Sequence, residues 1–131
     1  MSDTYQACFV CGKDNPVGLQ LPYYYDGEMA RAELVIGDRY AGYPGIVHGG
    51  IVTALLDEIM EKAIEGLKIW AVTANLNVSF RQPTPTNEVL QLTGWITKPG
   101  SRVFRTAAKI TLVDGKILAE AEGVFVKKQK F

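Results

Sequence analysis

The sequence predicts an α+β fold in which one curved antiparallel β-sheet wraps around a single long helix, with the element order β-β-α-β-β-β-β. Two patterns carry this prediction. Apolar pairs recur every four residues between Ile51 and Ile64, a period that only a helix places on one side. Short connections join the later strand-like segments, and such connections allow only antiparallel pairing.

Two strands are predicted before the helix, at residues 19–25 and 29–36. They flank Asp26-Gly27, a dipeptide suited to the positive φ angles of a tight hairpin turn. Residues 37–47 collect Gly, Pro and Asp, which indicates a loop leading into the helix.

The predicted helix begins near Ile51 and ends before Gly66, which we expect to form a left-handed C-cap. At about 100° per residue its apolar pairs cover roughly 220° of the circumference, far more than the stripe of a surface helix. Other elements should therefore cover this helix on most sides.

After the helix, residues 72–81 alternate between apolar and polar side chains, which predicts a strand with one buried face. The face expected to be buried consists of Val72, Ala74, Leu76, Val78 and Phe80, and the opposite face of Thr73, Asn75, Asn77, Ser79 and Arg81. Three further strands are expected at residues 89–97, 103–113 and 117–126.

The composition bounds the class of protein. The 131 residues, 47% hydrophobic and 21% charged, predict one domain over residues 1–131 that builds its core without disulfides. No apolar stretch approaches the roughly 18 residues that span a bilayer, and the N-terminus lacks a secretory signal, so we expect a cytoplasmic protein without membrane association. A net charge of zero gives the whole chain no attraction to nucleic acid.

The balanced charge hides an asymmetry between the halves of the chain. Residues 1–65 hold four basic and ten acidic side chains, whereas residues 66–131 hold ten basic and four acidic ones. The second half would receive an anionic ligand; alternatively, the two halves attract each other across the fold.

His48 is the only histidine, and it directly precedes Gly49-Gly50 and the helix. Free N–H groups and the positive end of the helix dipole converge there, and glycines let a ligand approach the backbone. The alternative is that the glycines merely turn the chain into the helix while His48 caps a nearby group.

Three helix carboxylates are candidates for chemistry: Asp57, Glu58 and Glu61. On a helical wheel Asp57 alone borders the apolar band, so it should be partly desolvated and more basic than usual. Glu58 has Lys62 four residues on and is expected to form a solvated surface pair. The alternative for Asp57 is an aspartate tolerated at the boundary.

Cys8 and Cys11 have the spacing of half a zinc site. A zinc site needs four ligands, and the chain offers neither a second cysteine pair nor clustered histidines, so we expect no metal. A dimer would have to supply two pairs. A small buried feature of the N-terminus is the simpler expectation, and a redox role lacks the usual strand and helix context.

Several of these segments together resemble the hotdog-fold acyl-CoA thioesterases, and most closely their phenylacetate-pathway-like branch. The matching features are Gly45-Ile46-Val47-His48-Gly49-Gly50, Asp57 nine residues after the histidine, the strand from Thr73 to Phe80 followed by Arg81-Gln82-Pro83, and the N-terminal CFVCGKDNPVGLQL. The likeness covers nearly the whole chain.

The resemblance implies hydrolysis of the thioester between coenzyme A and an acyl group, with no cofactor. By matching position, Asp57 is the general base or nucleophile, the Gly49 N–H polarises the carbonyl, and Thr73 helps to place water. The resemblance also places His48 among the catalytic residues and Gly50 among those that bind the substrate. Many relatives carry Asn or Gln six residues before the histidine, where this chain has Gly42.

Basic side chains of the second half are candidates for the coenzyme A phosphates, because arginine forms strong charge-assisted bonds with phosphate. The candidates are Arg81, Arg102 and Arg105.

The site should be shared between two chains if both Gly49 and Asp57 are used. They lie eight residues apart, about 12 Å along one helix, and both must reach one carbonyl. We therefore expect a homodimer as the minimum unit and a homotetramer as the assembly. Two other functions stay open: a non-catalytic acyl-CoA binding or regulatory module, and a hotdog hydratase or dehydratase, for which His48 and Asp57 are wrongly placed.

Overall fold

The computed structural model describes residues 6–129 and confirms the predicted order of elements. One helix, α1 (Gly49–Glu65), packs against a six-stranded antiparallel sheet in the order β1-β2-β4-β5-β6-β3. A 3-10 turn at Asp38–Tyr40 precedes the helix. No helix within residues 6–129 is long and apolar enough to cross a membrane. The strands are β1 (Tyr23–Tyr25), β2 (Met29–Val35), β3 (Trp70–Phe80), β4 (Val89–Lys98), β5 (Val103–Leu112) and β6 (Ile117–Lys128).

The helix is covered as its broad apolar band predicted. Its central side chains are almost fully buried and form the middle of the core: Leu55, Leu56, Ile59, Met60 and Ile64. The helix comes close to the sheet at Gly94 in β4, where an added Cβ would lie 2.5 Å from the Ile59 carbonyl oxygen. The helix backbone therefore rests directly on the sheet at this point.

The strand predicted at residues 19–25 is shorter than expected and begins at Tyr23. Gln20 has a φ of 53°, which interrupts an extended strand. The Leu19 and Leu21 N–H groups bond instead to the carbonyls of Phe9 and Val10, at 2.9 and 2.8 Å. The N-terminal segment, residues 6–18, thus supplies the hydrogen-bond partners that a second strand would supply in a longer hairpin.

The left-handed C-cap expected at Gly66 is also wrong. Gly66 has a right-handed φ of −58°, and the positive φ belongs to Lys68, at 64°. Gly66 is needed for space, because an added Cβ would lie 2.4 Å from the Tyr25 ring.

A β-bulge changes which residues of β3 face the helix. The pairing of β3 with β6 shifts register between Thr73 and Asn75, so one extra residue lies between them. Thr73 pairs with buried Phe125 and faces the helix, whereas Val72 pairs with Val126 and faces away. The predicted alternation is therefore correct only after the bulge.

Strand β3 also ends the sheet, which helps to explain why some of its apolar residues stay exposed. Val72 is 40% exposed and Phe80 is 56% exposed, although both were assigned to the buried face. An end strand has a neighbour on one side only, so its side chains lack the cover that central strands receive.

Within residues 6–129, no ion pair joins the two oppositely charged halves of the chain. Each pair found within residues 6–129 links side chains of the same half. The alternative that the halves attract each other thus has no contact ion pair to support it among the described residues.

Candidate active site

His48 caps the N-terminus of α1. Its Nδ1 accepts a hydrogen bond from the Gly50 N–H at 2.9 Å, which makes His48 the N-cap of the helix. The capping role considered for His48 is thus confirmed, and the Gly50 N–H already has a partner. Among residues 6–129 none accepts a hydrogen bond from the Gly49 N–H, which leaves that group available to a ligand.

Two cavities meet at Gly49. The first, of about 320 Å³, is lined mainly by apolar side chains, and Arg81 lies at its rim. The second, of about 380 Å³, lies between Tyr43 and His48. An added Cβ on Gly49 would lie 3.8 Å from the Phe80 ring, so the glycine keeps the backbone open toward the first cavity. A ligand in either cavity can approach the Gly49 N–H. The apolar lining of the first cavity comes from Ile46, Val47, Val52, Phe80 and Pro83.

The structure brings Asp57 and Thr73 together. The Thr73 hydroxyl donates a hydrogen bond to Asp57 Oδ1 at 2.6 Å, from β3 to the helix. Burial raises the pKa of Asp57, while the hydrogen bond from Thr73 opposes that rise. Asp57 is half-buried, as the helical wheel predicted, and holds a fixed hydroxyl beside its carboxylate.

Glu58 is not the solvated surface residue that we expected. It is buried together with Lys62, and its Oε2 lies 3.5 Å from Lys62 Nζ. The pairing was predicted correctly, but the N-terminal segment covers this side of the helix, with Cys8 Sγ 3.8 Å from Glu58 Oε2. That segment has no helical or strand periodicity, so its packing against the helix could not be predicted from sequence.

Glu61 has a perturbed pKa as well, although it does not border the apolar band on the helical wheel. It lies one turn after Asp57, and burial together with the nearby Glu58 charge raises its pKa to about 8. The burial of Glu61 could have been predicted from the wide apolar band of the helix. That band implied that other elements cover the helix on most sides.

The three arginines fall in different places. Arg81 lines the cavity at Gly49, and its Nε bonds to Glu120 Oε2 at 3.1 Å. Arg102 lies in the connection before β5, and Arg105 lies on β5, exposed between buried Phe104 and Thr106. Neither of these two lines a cavity at Gly49, so only Arg81 is brought to the helix start.

Gly42 lies against the N-cap. An added Cβ there would be 3.4 Å from His48 Cα and 3.6 Å from His48 Cδ2. A side chain at this position would therefore contact His48, and the glycine removes a polar group from the edge of the second cavity.

Comparison with known proteins gives a consistent result. The model of the thioesterase superfamily matches residues 44–119, which include His48, Asp57 and Thr73. The acyl-coenzyme A thioesterase THEM4 of Bos taurus is 27% identical over 122 residues, which cover 91% of this chain and 50% of that protein. The chain thus spans about half the length of the curated relatives it matches.

Solved structures show the same fold. A crystal structure of a thioesterase superfamily protein superposes with a TM-score of 0.87 at 30% identity, covering 92% of this chain and 63% of that one. A Streptococcus mutans protein solved with bound acetyl-CoA has a TM-score of 0.77 at 18% identity, covering 82% and 86%.

Proposed function

Because this chain belongs to the thioesterase superfamily, we propose that it is an acyl-CoA thioesterase. The observation that carries the proposal is the half-buried Asp57 carboxylate, held at 2.6 Å by the Thr73 hydroxyl. The bovine relative is named an acyl-coenzyme A thioesterase, and the Streptococcus mutans protein was solved with bound acetyl-CoA.

Hydrolysis requires a group that attacks the carbonyl carbon and a donor at the carbonyl oxygen, where negative charge develops. Asp57 supplies the first, either by direct attack or by taking a proton from the attacking water. The Gly49 N–H supplies the second. In the water route, the water oxygen forms the new C–O bond, Asp57 takes the water proton, the C–S bond breaks, and the proton passes to the coenzyme A thiolate, leaving the free acid. In the direct route, the Asp57 oxygen forms the C–O bond as the C–S bond breaks, and water then hydrolyses the resulting acyl–Asp57 anhydride to the free acid and restores the carboxylate.

Two chains are needed to complete such a site. Gly49 and Asp57 lie eight residues apart on α1, about 12 Å along the axis, whereas both groups must come within roughly 3 to 3.5 Å of the carbonyl. A two-fold axis that brings the Gly49 end of one helix near Asp57 of its partner satisfies this requirement. The open edge at β3 is the surface for that contact, since it adjoins Thr73 and exposes Val72 and Phe80.

Arg81 is the best placed of the three arginines to bind the coenzyme A phosphates. It lines the apolar cavity that borders Gly49, so a chain seated there would pass close to its guanidinium. Its present partner, Glu120, is more than a third exposed, and surface pairs of this kind contribute little stability, so a phosphate can replace it.

Asp57→Asn tests the proposal. We expect kcat for thiol release from acyl-CoA esters to fall at least about 100-fold, because the attacking carboxylate is lost. The melting temperature should hardly change, since the amide oxygen can still accept the Thr73 hydrogen bond.

Glu61→Gln is the matched control, because it makes the same change one turn further along the helix. We expect near wild-type release of thiol. Glu58 is unsuitable as a control because it is buried with Lys62. Equal losses in the Asp57 and Glu61 variants would rule out the assigned role of Asp57.

A non-catalytic acyl-CoA binding module is the second candidate, and Gly42 is the observation that favours it. The glycine leaves His48 without the polar neighbour that the resemblance implies for active relatives. Such a module would bind acyl-CoA esters but release no thiol, and Asp57→Asn would leave binding intact. Gly42→Asn should raise kcat if the missing amide limits the enzyme.

A further inference from the structure

The two cysteines meet a third candidate ligand on the helix. The Sγ atoms of Cys8 and Cys11 and a carboxylate oxygen of Glu58 all lie within 4.8 Å of one another. Cys11 and Glu58 are buried, and Cys8 is half-buried. The fold therefore assembles a three-ligand cluster from residues some fifty positions apart, which sequence spacing did not reveal.

The turn that carries the cysteines is built to hold both sulfur atoms toward the helix. The Cys11 N–H points at Cys8 Sγ at 3.5 Å, and the Gly12 N–H donates to the Cys8 carbonyl at 2.9 Å. An added Cβ on Gly12 would lie 2.3 to 2.6 Å from backbone atoms of Gln6 and Cys8, so the turn closes only with glycine. An N–H directed at sulfur favours a negatively charged sulfur.

The charges around the cluster also fit a divalent cation. With a metal bound in place of the thiol protons, two thiolates and the Glu58 carboxylate would carry three negative charges, and Lys62 Nζ lies 3.5 Å from Glu58 Oε2. A divalent ion would offset two of those charges, and the Lys62 ammonium, which Glu58 shares with Glu65, would offset part of the third. Lys62 Nζ also lies 3.1 Å from Glu65 Oε2 and 4.6 Å from the centre of the Tyr23 ring. These contacts can hold Lys62 in place, so it need not compete with a metal ion for the Glu58 carboxylate.

We propose that Cys8, Cys11 and Glu58 form a binding site for a divalent, thiophilic metal ion. Two sulfur ligands and one oxygen ligand favour Zn²⁺ over Mg²⁺ or Ca²⁺, which prefer oxygen alone. Three protein ligands leave one tetrahedral position, and water can reach it on the half-exposed Cys8 side. The ion would fasten the N-terminal segment to α1, on the residue next to Asp57.

Metal content of the full chain tests the site. Purified without an affinity tag or chelator, in a reducing buffer, the wild-type chain should hold about one zinc per chain after incubation with ZnCl₂ and desalting. Cys8→Ser, Cys11→Ser and Glu58→Gln should each reduce that content to below about a tenth. Glu61→Gln, three residues from Glu58 on the same helix, should keep it.

A cobalt spectrum identifies the ligands. Replacing zinc by Co²⁺ should give the near-ultraviolet sulfur-to-cobalt absorption in the wild-type chain and not in Cys8→Ser. If the cysteine variants do not fold, the test uses the wild-type chain alone. Added Zn²⁺ should slow the reaction of both cysteine thiols with a thiol reagent.

Three results would overturn the site. In the first, the wild-type chain takes up no more zinc than Cys8→Ser. In the second, Glu58→Gln retains all of its zinc. In the third, the thiols of the wild-type chain react equally fast with and without Zn²⁺. Each would leave the cluster as a Glu58–Lys62 ion pair covered by the two cysteine side chains.

Discussion

At the scale of single residues, the Thr73 hydroxyl fixes the Asp57 carboxylate in one orientation. We expect Thr73→Val to lower kcat by roughly 10- to 100-fold, because hydrogen bonds to charged groups are worth about 1.5 to 3 kcal/mol. Thr73→Ser keeps the hydroxyl and should retain most of the activity. Steady-state kinetics on one acyl-CoA ester compares the two, and a serine variant as impaired as the valine variant would contradict a role for the hydroxyl.

The sequence predicted the half-buried position of Asp57 but misjudged Glu58. A helical wheel finds residues that border an apolar band, and Asp57 borders it. It cannot show what packs against the rest of the helix. Glu58 is buried because the segment carrying Cys8 and Cys11 lies over it, and that contact depends on a long-range path of the chain.

At the scale of elements, the contact of α1 with β4 depends on a glycine. We expect Gly94→Ala to lower the free energy of unfolding by about 1 to 3 kcal/mol, because the new Cβ would overlap the Ile59 backbone. Urea denaturation measures the change.

Gly37→Ala is the control for this prediction. Nothing lies within 4 Å of an added Cβ there, and its φ of −82° suits alanine. It should alter the free energy of unfolding by less than about 0.5 kcal/mol. If Gly94→Ala proved equally harmless, the helix would have more room on the sheet than the structure indicates.

Periodicity and turn residues were enough to find the helix and the six strands, but neither the 3-10 turn at Asp38–Tyr40 nor the bulge in β3. Residues 72–81 alternate without a break in sequence, because Ala74 fits the apolar pattern. The extra residue appears only when the strand is paired with β6, where Thr73 and Asn75 fall on opposite faces. The alternation of one strand does not show which residues of β6 it pairs with. It therefore could not predict that Thr73 faces the helix and contacts Asp57.

At the scale of the whole molecule, a site shared between two chains predicts recovery of activity by mixing. Asp57→Asn and Gly49→Pro should each be nearly inactive alone. Proline is tolerated at the first helical position, and His48, with φ of −54° and ψ of 135°, already has the conformation that precedes proline.

Co-expression of the two variants should restore roughly a quarter of native activity, because half of the randomly assorted dimers are mixed and each holds one intact site of two. Thiol release and a differential tag on each chain measure activity and mixing together. Mixed dimers that are folded but inactive would show that each site belongs to one chain.

The open edge at β3 has a further consequence for the chain before it assembles. Soluble proteins usually protect such an edge with lysine, proline or another gatekeeper, yet Trp70–Phe80 contains no charged residue. An unguarded edge with Val72 and Phe80 exposed is a template for uncontrolled strand addition and aggregation. Pairing with a second copy would hide it, so the assembly that completes the chemistry would also keep the protein in solution. The newly made chain is most vulnerable while it is still dilute and unpaired.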